Sequence, residues 1–170
     1  IIEIAQYIRE QEMIPNLTIS GFGVDRFEPE YLAKLFGQIN LSIDGPAEVY
    51  TSVRGWNGYA LAMRSLRKLA AAGGRVGVNT VLTRPLLADR SAFFAFAEQL
   101  VDSGMLEWQW LRYKPTGRGR DHYDRFALSK SQRETLFSLA LEIEKHFSVT
   151  IRWDCAMFPF LADQDIPADR

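Results

Sequence analysis

Two charged residues are the best candidates for chemistry in this sequence. Asp44 and Arg54 fall in the string SIDGPAEVYTSVRG, with Ser42 two positions before the aspartate. A carboxylate accepts hydrogen bonds from ribose hydroxyls, and a guanidinium can grip a ligand carboxylate with two parallel bonds. Gly45 and Pro46 turn the chain sharply beside them, and Arg54 is expected in the loop before the next helix. Residue chemistry alone leaves two readings open. Either these side chains bind a polar ligand, or Asp44 caps a turn and pairs with Arg54.

A second constellation is YKPTGRG, residues 113–119. Lys114, Arg118 and Arg120 alternate with Pro115, Gly117 and Gly119, so cations and exposed amides could hold an anionic substrate group there. The alternative is a solvated basic loop. Cys155, in DCAMFPF, stands alone, and a lone cysteine ordinarily reads as a small buried hydrophobe. His122 and His146 have no partner at metal-ligand spacing and read as surface residues. There is no GxSxG elbow, no P-loop and no HExxH.

The elements that must position these groups follow from the apolar period. Residues 1–12 place Ile1, Ile4, Ala5 and Ile8 on one helical face, and Leu17 to Ser20 read as a short strand. A short helix opens at Pro29 and stops at Gly37, and INLSID (39–44) is the next strand. An amphipathic helix fills 58–72, RVGVNTVLT (75–83) is extended, and Phe93 to Val101 define another helix. EWQWLRYK (107–114) and VTIRWD (149–154) are strands. Between them one helix runs to Phe147 from a capping box of Ser129 and Gln132. In strand 107–114 both alternations carry aromatic or cationic residues, so its inner face stays open.

Strands separated by helices long enough for a crossover imply parallel pairing and right-handed βαβ units. A central strand of a doubly wound sheet is apolar on both faces. Here Thr18 and Ser20, then Asn40, Ser42 and Asp44, then Gly77, Asn79 and Thr83 (with Val81 among them) give three successive strands one small and polar face. Thr80 is the one polar member of the opposite row of Val76, Val78 and Leu82. The expected fold is therefore α/β, a partial (β/α) barrel resembling a TIM barrel, with outer helices and a polar interior, truncated at its N-terminus. The chain has 170 residues and starts at Ile1 without methionine, as a fragment would. A net charge of −1 leaves no electrostatic footprint for nucleic acid or anionic lipid. No apolar run approaches the roughly 18–20 residues that span a bilayer. One cysteine excludes an internal disulfide and points to the cytoplasm.

The ordered series LSIDG, YTSVRG, VGVNTVLT and YKPTGRG resembles radical S-adenosylmethionine enzymes, especially members with a SPASM-type C-terminal extension, over residues 17–160. The resemblance implies that residues 1–154 are part of that barrel and that 155–170 begin an extension. It implies that Ser42 and Asp44 contact the ribose or amino-acid end of S-adenosylmethionine and that Arg54 takes its carboxylate. Asn79 would face cofactor or substrate, Ser20 would approach the methionine portion, and Cys155 could ligate an auxiliary cluster. The family's CxxxCxxC loop and GGE-like turn do not occur in this sequence, and one cysteine cannot hold a 4Fe–4S cluster.

Those segments are accordingly expected upstream of Ile1, and the chain alone is expected to be inactive. Its parent would cleave S-adenosylmethionine reductively and use the deoxyadenosyl radical to take hydrogen from a small-molecule or peptide substrate, in peptide or cofactor maturation. Two rivals are a conventional barrel enzyme binding a phosphorylated metabolite and a non-catalytic barrel acting as a binding module. A barrel without its first strands would also expose the edge of strand 17–20 to another copy of the chain or to absent segments.

Overall fold

Each apolar stripe in this sequence needs a surface to cover it. In the computed structural model, which describes residues 1–161, that surface is one face of a single parallel sheet. In chain order the elements are α1 (Ile2–Glu10), β1 (Asn16–Ile19), α2 (Pro29–Leu35), β2 (Gln38–Ser42), α3 (Ala47–Arg54) and α4 (Tyr59–Ala71). They continue with β3 (Val76–Leu82), α5 (Arg90–Asp102), β4 (Glu107–Arg112), α6 (Tyr123–Phe126), α7 (Lys130–Glu134), α8 (Leu136–Phe147), β5 (Thr150–Trp153) and α9 (Phe158–Leu161).

The strands run in the order β1-β2-β3-β4-β5, every pair parallel. A doubly wound sheet reverses its strand order at a switch point. This one never does, so its right-handed crossovers keep the helices on one side, as in a barrel. The partial (β/α) barrel expected from the alternation is what forms.

Ile39, Leu41, Ile43, Val78, Trp108 and Trp110 are at most 1% exposed beneath that helix layer. Removing each aliphatic side chain from water contributes about 1.5–3 kcal/mol. Phe93 of α5 stacks on the Trp108 indole at 5.4 Å, and Phe96 meets it edge-on. This settles the alternation of β4: Trp108 and Trp110 go under the helices, leaving Glu107, Gln109 and Leu111 on the other face.

Two elements differ from expectation. Arg54 is the last residue of helix α3, not part of a loop. The final long helix is broken at Thr135, whose backbone leaves the helical region (φ −104°, ψ 2°) between α7 and α8. The expected capping box at Ser129 and Gln132 is present at the start of α7. β1 lies at one edge of the sheet and pairs with β2 alone among the described residues.

Candidate functional site at the C-terminal end of the sheet

The register aligns side chains across the helix-free face. Ser42 pairs with Asn79, Asn79 with Gln109, and Gln109 with Arg152, so four adjacent strands each contribute a polar group to one row. Asn79 is sunk between its neighbours at 9% exposure, and its Oδ1 has no hydrogen-bond partner among the described residues. A buried carbonyl oxygen left unpaired costs about 1–3 kcal/mol unless a donor reaches it. Gln109 was not singled out from sequence; only the register reveals it.

Just past the end of β2, Gly45 adopts φ +141°, and a Cβ there would stand 2.8 Å from Val49 Cγ1 and 3.1 Å from Leu86 Cδ1. The turn it makes leads into α3, which returns Arg54 over the strand end. Arg54 Nε donates to Asp44 Oδ2 at 2.7 Å, and the Val81 amide donates to Asp44 Oδ1 at 2.9 Å. The Asp44 side chain is 4% exposed and that of Arg54 25%. The pairing with Arg54 is thus realised in the structure, but Asp44 holds the Val81 amide of the neighbouring strand instead of capping its own turn. It leaves a ligand-binding role open, because the hydrogen bonding of Arg54 among the described residues uses Nε alone.

The Arg54 guanidinium also lies 5.6 Å from the ring of Tyr50, a fully buried side chain on the same helix. Burial pushes the Tyr50 hydroxyl pKa above 10.0; the Asp44 charge adds to this and Arg54 opposes it.

Ser20 stands beyond β1, where its Oγ accepts from the Phe22 amide at 3.4 Å. Ser65 of α4 holds the next residue by donating to the Gly21 carbonyl at 2.9 Å. The basic loop after β4 coils into a 3-10 turn over Gly117–His122. Lys114 is paired with Asp154 at 3.1 Å, while Arg118 and Arg120 are exposed. The Gly119 amide donates to Thr116 O within this loop.

Cys155 is exposed, against the expectation of a buried thiol, because it begins a 3-10 turn that Asp154 caps from the sheet's rim. His122 and His146 are exposed, as expected. Among the described residues no three His, Cys, Asp or Glu side chains converge to hold a metal ion, so the donors an iron–sulfur cluster needs are not among them. A cavity of about 610 Å³ lies elsewhere, against Arg112, Lys130, Arg133 and Phe160.

No protein-family model matches the chain. The curated mycofactocin maturase MftC of Mycobacterium ulcerans (strain Agy99) is 31% identical over 118 residues, 66% of this chain and 31% of that protein. Over this segment the chain is a relative of the radical S-adenosylmethionine superfamily. It spans about a third of the length of that maturase.

Solved structures show the same fold for this radical S-adenosylmethionine relative. Native anSMEcpe with bound AdoMet superposes with a TM-score of 0.63 at 14% identity, covering 89% of this chain and 43% of that one. Streptococcus suis SuiB bound to precursor peptide SuiA gives 0.72 at 11% identity, covering 95% and 37%. No described helix is long and apolar enough to cross a membrane.

Proposed function

We propose that this chain supplies the S-adenosylmethionine-holding half of a radical S-adenosylmethionine barrel, working on a peptide. The observation that carries the reading is the juxtaposition at the C-terminal end of the sheet. Asp44 and Arg54 are fixed against each other beside Ser42 and an Asn79 whose buried oxygen has no partner among the described residues. Barrel enzymes place their chemistry at that end.

In this reading Arg54 takes the cofactor's carboxylate with its outer nitrogens while Asp44 fixes its Nε. Ser42 and Asp44 meet the ribose or amino-acid end, Ser20 lies toward the methionine portion, and Asn79 accepts a hydrogen bond from cofactor or substrate. Lys114 and Arg118 offer positive charge at the rim for an anionic substrate group. Bound S-adenosylmethionine would supply, in the whole protein with its 4Fe–4S cluster, the deoxyadenosyl group that abstracts substrate hydrogen. The residues of this chain bind, orient and exclude water. A peptide substrate is supported by the relatives, one of which is a maturase and another of which binds a precursor peptide. Residues 155–170 fit the start of a C-terminal extension with Cys155 as an auxiliary ligand; of these, 162–170 lie outside the described residues.

Calorimetric titration of S-adenosylmethionine into the chain tests the cofactor site. Arg54→Ala is expected to weaken binding about 10-fold or more, the worth of a charge-assisted hydrogen bond. Equal affinity in the two proteins would overturn the assignment.

We also propose self-association through the β1 edge, since among the described residues its backbone pairs on one side only and Ile1, Ile4, Tyr7, Met13, Ile14 and Phe22 nearby are exposed. Light scattering at micromolar concentration should show a dimer; a monodisperse monomer of 19.4 kDa contradicts it.

A further inference from the structure

Parallel strands exchange evenly spaced hydrogen bonds, and β2 and β3 do so until they reach the site. The Ile39 amide donates to Arg75 O and the Ile43 amide to Asn79 O, each at 3.0 Å. The next rung of that ladder would run from the Val81 amide to the Ile43 carbonyl. It is not made. The Val81 amide goes instead to Asp44 Oδ1 at 2.9 Å. The Ile43 carbonyl is taken by the Thr80 hydroxyl at 2.6 Å, and Thr80 Oγ1 in turn accepts from the Trp108 indole N–H at 2.7 Å.

Ile43, Thr80 and Trp108 are all 0% exposed. Thr80 points into the helix-side layer, whose other members on β3 are Val76, Val78 and Leu82. A valine would fill the same space without burying a hydroxyl, so packing does not explain a threonine there. The exchanged rung does.

We propose that Thr80, oriented by Trp108, is a positioning residue for Asp44. Its hydroxyl replaces the Val81 amide at the Ile43 carbonyl, and this frees the amide to hold the Asp44 carboxylate. The indole N–H occupies a lone pair of Oγ1, which leaves the hydroxyl proton to point at Ile43 O. The indole itself is fixed by ring contacts with Phe93, Phe96 and Trp110. Without the hydroxyl, Ile43 O and Asp44 Oδ1 compete for one amide. If the amide returns to the ladder, Asp44 loses an anchor, and the carboxylate that holds Arg54 Nε is itself less firmly placed. The rung exchange is made by hydrogen bonds between this chain's own atoms; only its consequence for cofactor binding rests on the function proposed above.

The test follows the Val81 amide resonance of ¹⁵N-labelled chain as pH is lowered from 7 until the resonance stops moving. An amide bonded to a carboxylate shifts when that carboxylate is protonated, and Asp44→Asn gives the baseline without this titration. Thr80→Ser, which keeps the hydroxyl, should retain the wild-type amplitude. Thr80→Val should lose at least half of it. A merely packing role predicts the reverse order, because valine preserves the volume and serine does not. Should Thr80→Val fail to fold, Thr80→Cys, with a thiol that donates weakly, carries the same expectation. Full amplitude in the hydroxyl-free variant overturns the proposal. S-adenosylmethionine affinity on the same samples separates the two claims. Wild-type protein that titrates at Val81 but binds no S-adenosylmethionine would sink the cofactor reading and leave the positioning role standing.

Discussion

The helix-free face of the sheet is polar at both ends, yet the ends differ in how their polar atoms are satisfied. At the N-terminal end Gln38 Nε2 donates to Asn40 Oδ1 at 2.9 Å and to Glu107 Oε1 at 3.1 Å. Arg152 Nε reaches Glu107 Oε2 at 3.0 Å, and Arg75 Nε reaches Gln38 Oε1 at 3.2 Å. Gly77 leaves room for this network, since a Cβ there would lie 2.4 Å from Asn40 Oδ1. The cluster closes on itself. At the C-terminal end Asp44 and Arg54 also pair, but Asn79 Oδ1, Thr83 Oγ1 and Tyr50 Oη are buried without partners among the described residues. A polar face by itself therefore does not mark a binding site. The end with unspent hydrogen-bonding capacity does.

Mutations should separate the two ends. Asp44→Ala strips partners from both the Val81 amide and Arg54. It should cost about 2–3 kcal/mol in chemical denaturation, below the figure for a fully buried pair because Arg54 is partly solvated, and it should weaken S-adenosylmethionine binding. A loss under about 0.5 kcal/mol would mean that this pair does not hold the turn. Gly77→Ala drives a methyl into the Gln38–Asn40 network and toward the Glu107 carbonyl, 3.0 Å away. About 1–3 kcal/mol of stability should go, with ligand affinity unchanged.

Glu107→Gln should have a smaller effect, about 1 kcal/mol or less at pH 7, since its arginine partners are more than half exposed. Burial raises the Glu107 pKa, but donation from Gln38 and the Arg152 and Arg75 charges outweigh that and hold it below 4.5. A carboxyl depressed in the folded state contributes stability fully above its unfolded pKa and loses it as pH falls through the folded value. Wild-type stability should therefore drop more steeply below pH 4.5 than that of Glu107→Gln; parallel curves would remove Glu107 from the account. Least of all, Thr83→Val replaces a hydroxyl without a partner among the described residues by a methyl and should be neutral or stabilising by up to about 1 kcal/mol. Clear destabilisation in a melting curve would reveal a partner for that hydroxyl.

The barrel class was legible because Ile39, Leu41 and Ile43 alternate with Asn40 and Ser42, and Val76 and Val78 with Gly77 and Asn79. A strand's two faces can be read from a single strand. Helix α3 was not legible. It has eight residues, three of them β-branched (Val49, Thr51 and Val53), and buries Tyr50 alone, so it lacks a repeating apolar stripe. The site residues Asp44 and Arg54 stood out by type, but their mutual bond depended on that helix bringing Arg54 back. The inward face of β4 needed the register with Val78 and Thr80, because tryptophan is at home under helices and arginine at a rim, and the strand carries both. Thr80 read as one polar residue in an apolar row; its use appears only when the missing rung to Ile43 is seen.

The central claim is that S-adenosylmethionine binds the unsatisfied end of this face and not the satisfied one. Titrating it into ¹⁵N-labelled chain and mapping amide shifts tests this directly. Shifts confined to Ser42, Asp44, Asn79, Val81 and the Arg54 turn, with Gln38, Gly77 and Glu107 still, are the predicted result. Shifts centred on Gln38, Gly77 and Glu107, or none at millimolar cofactor, would contradict it.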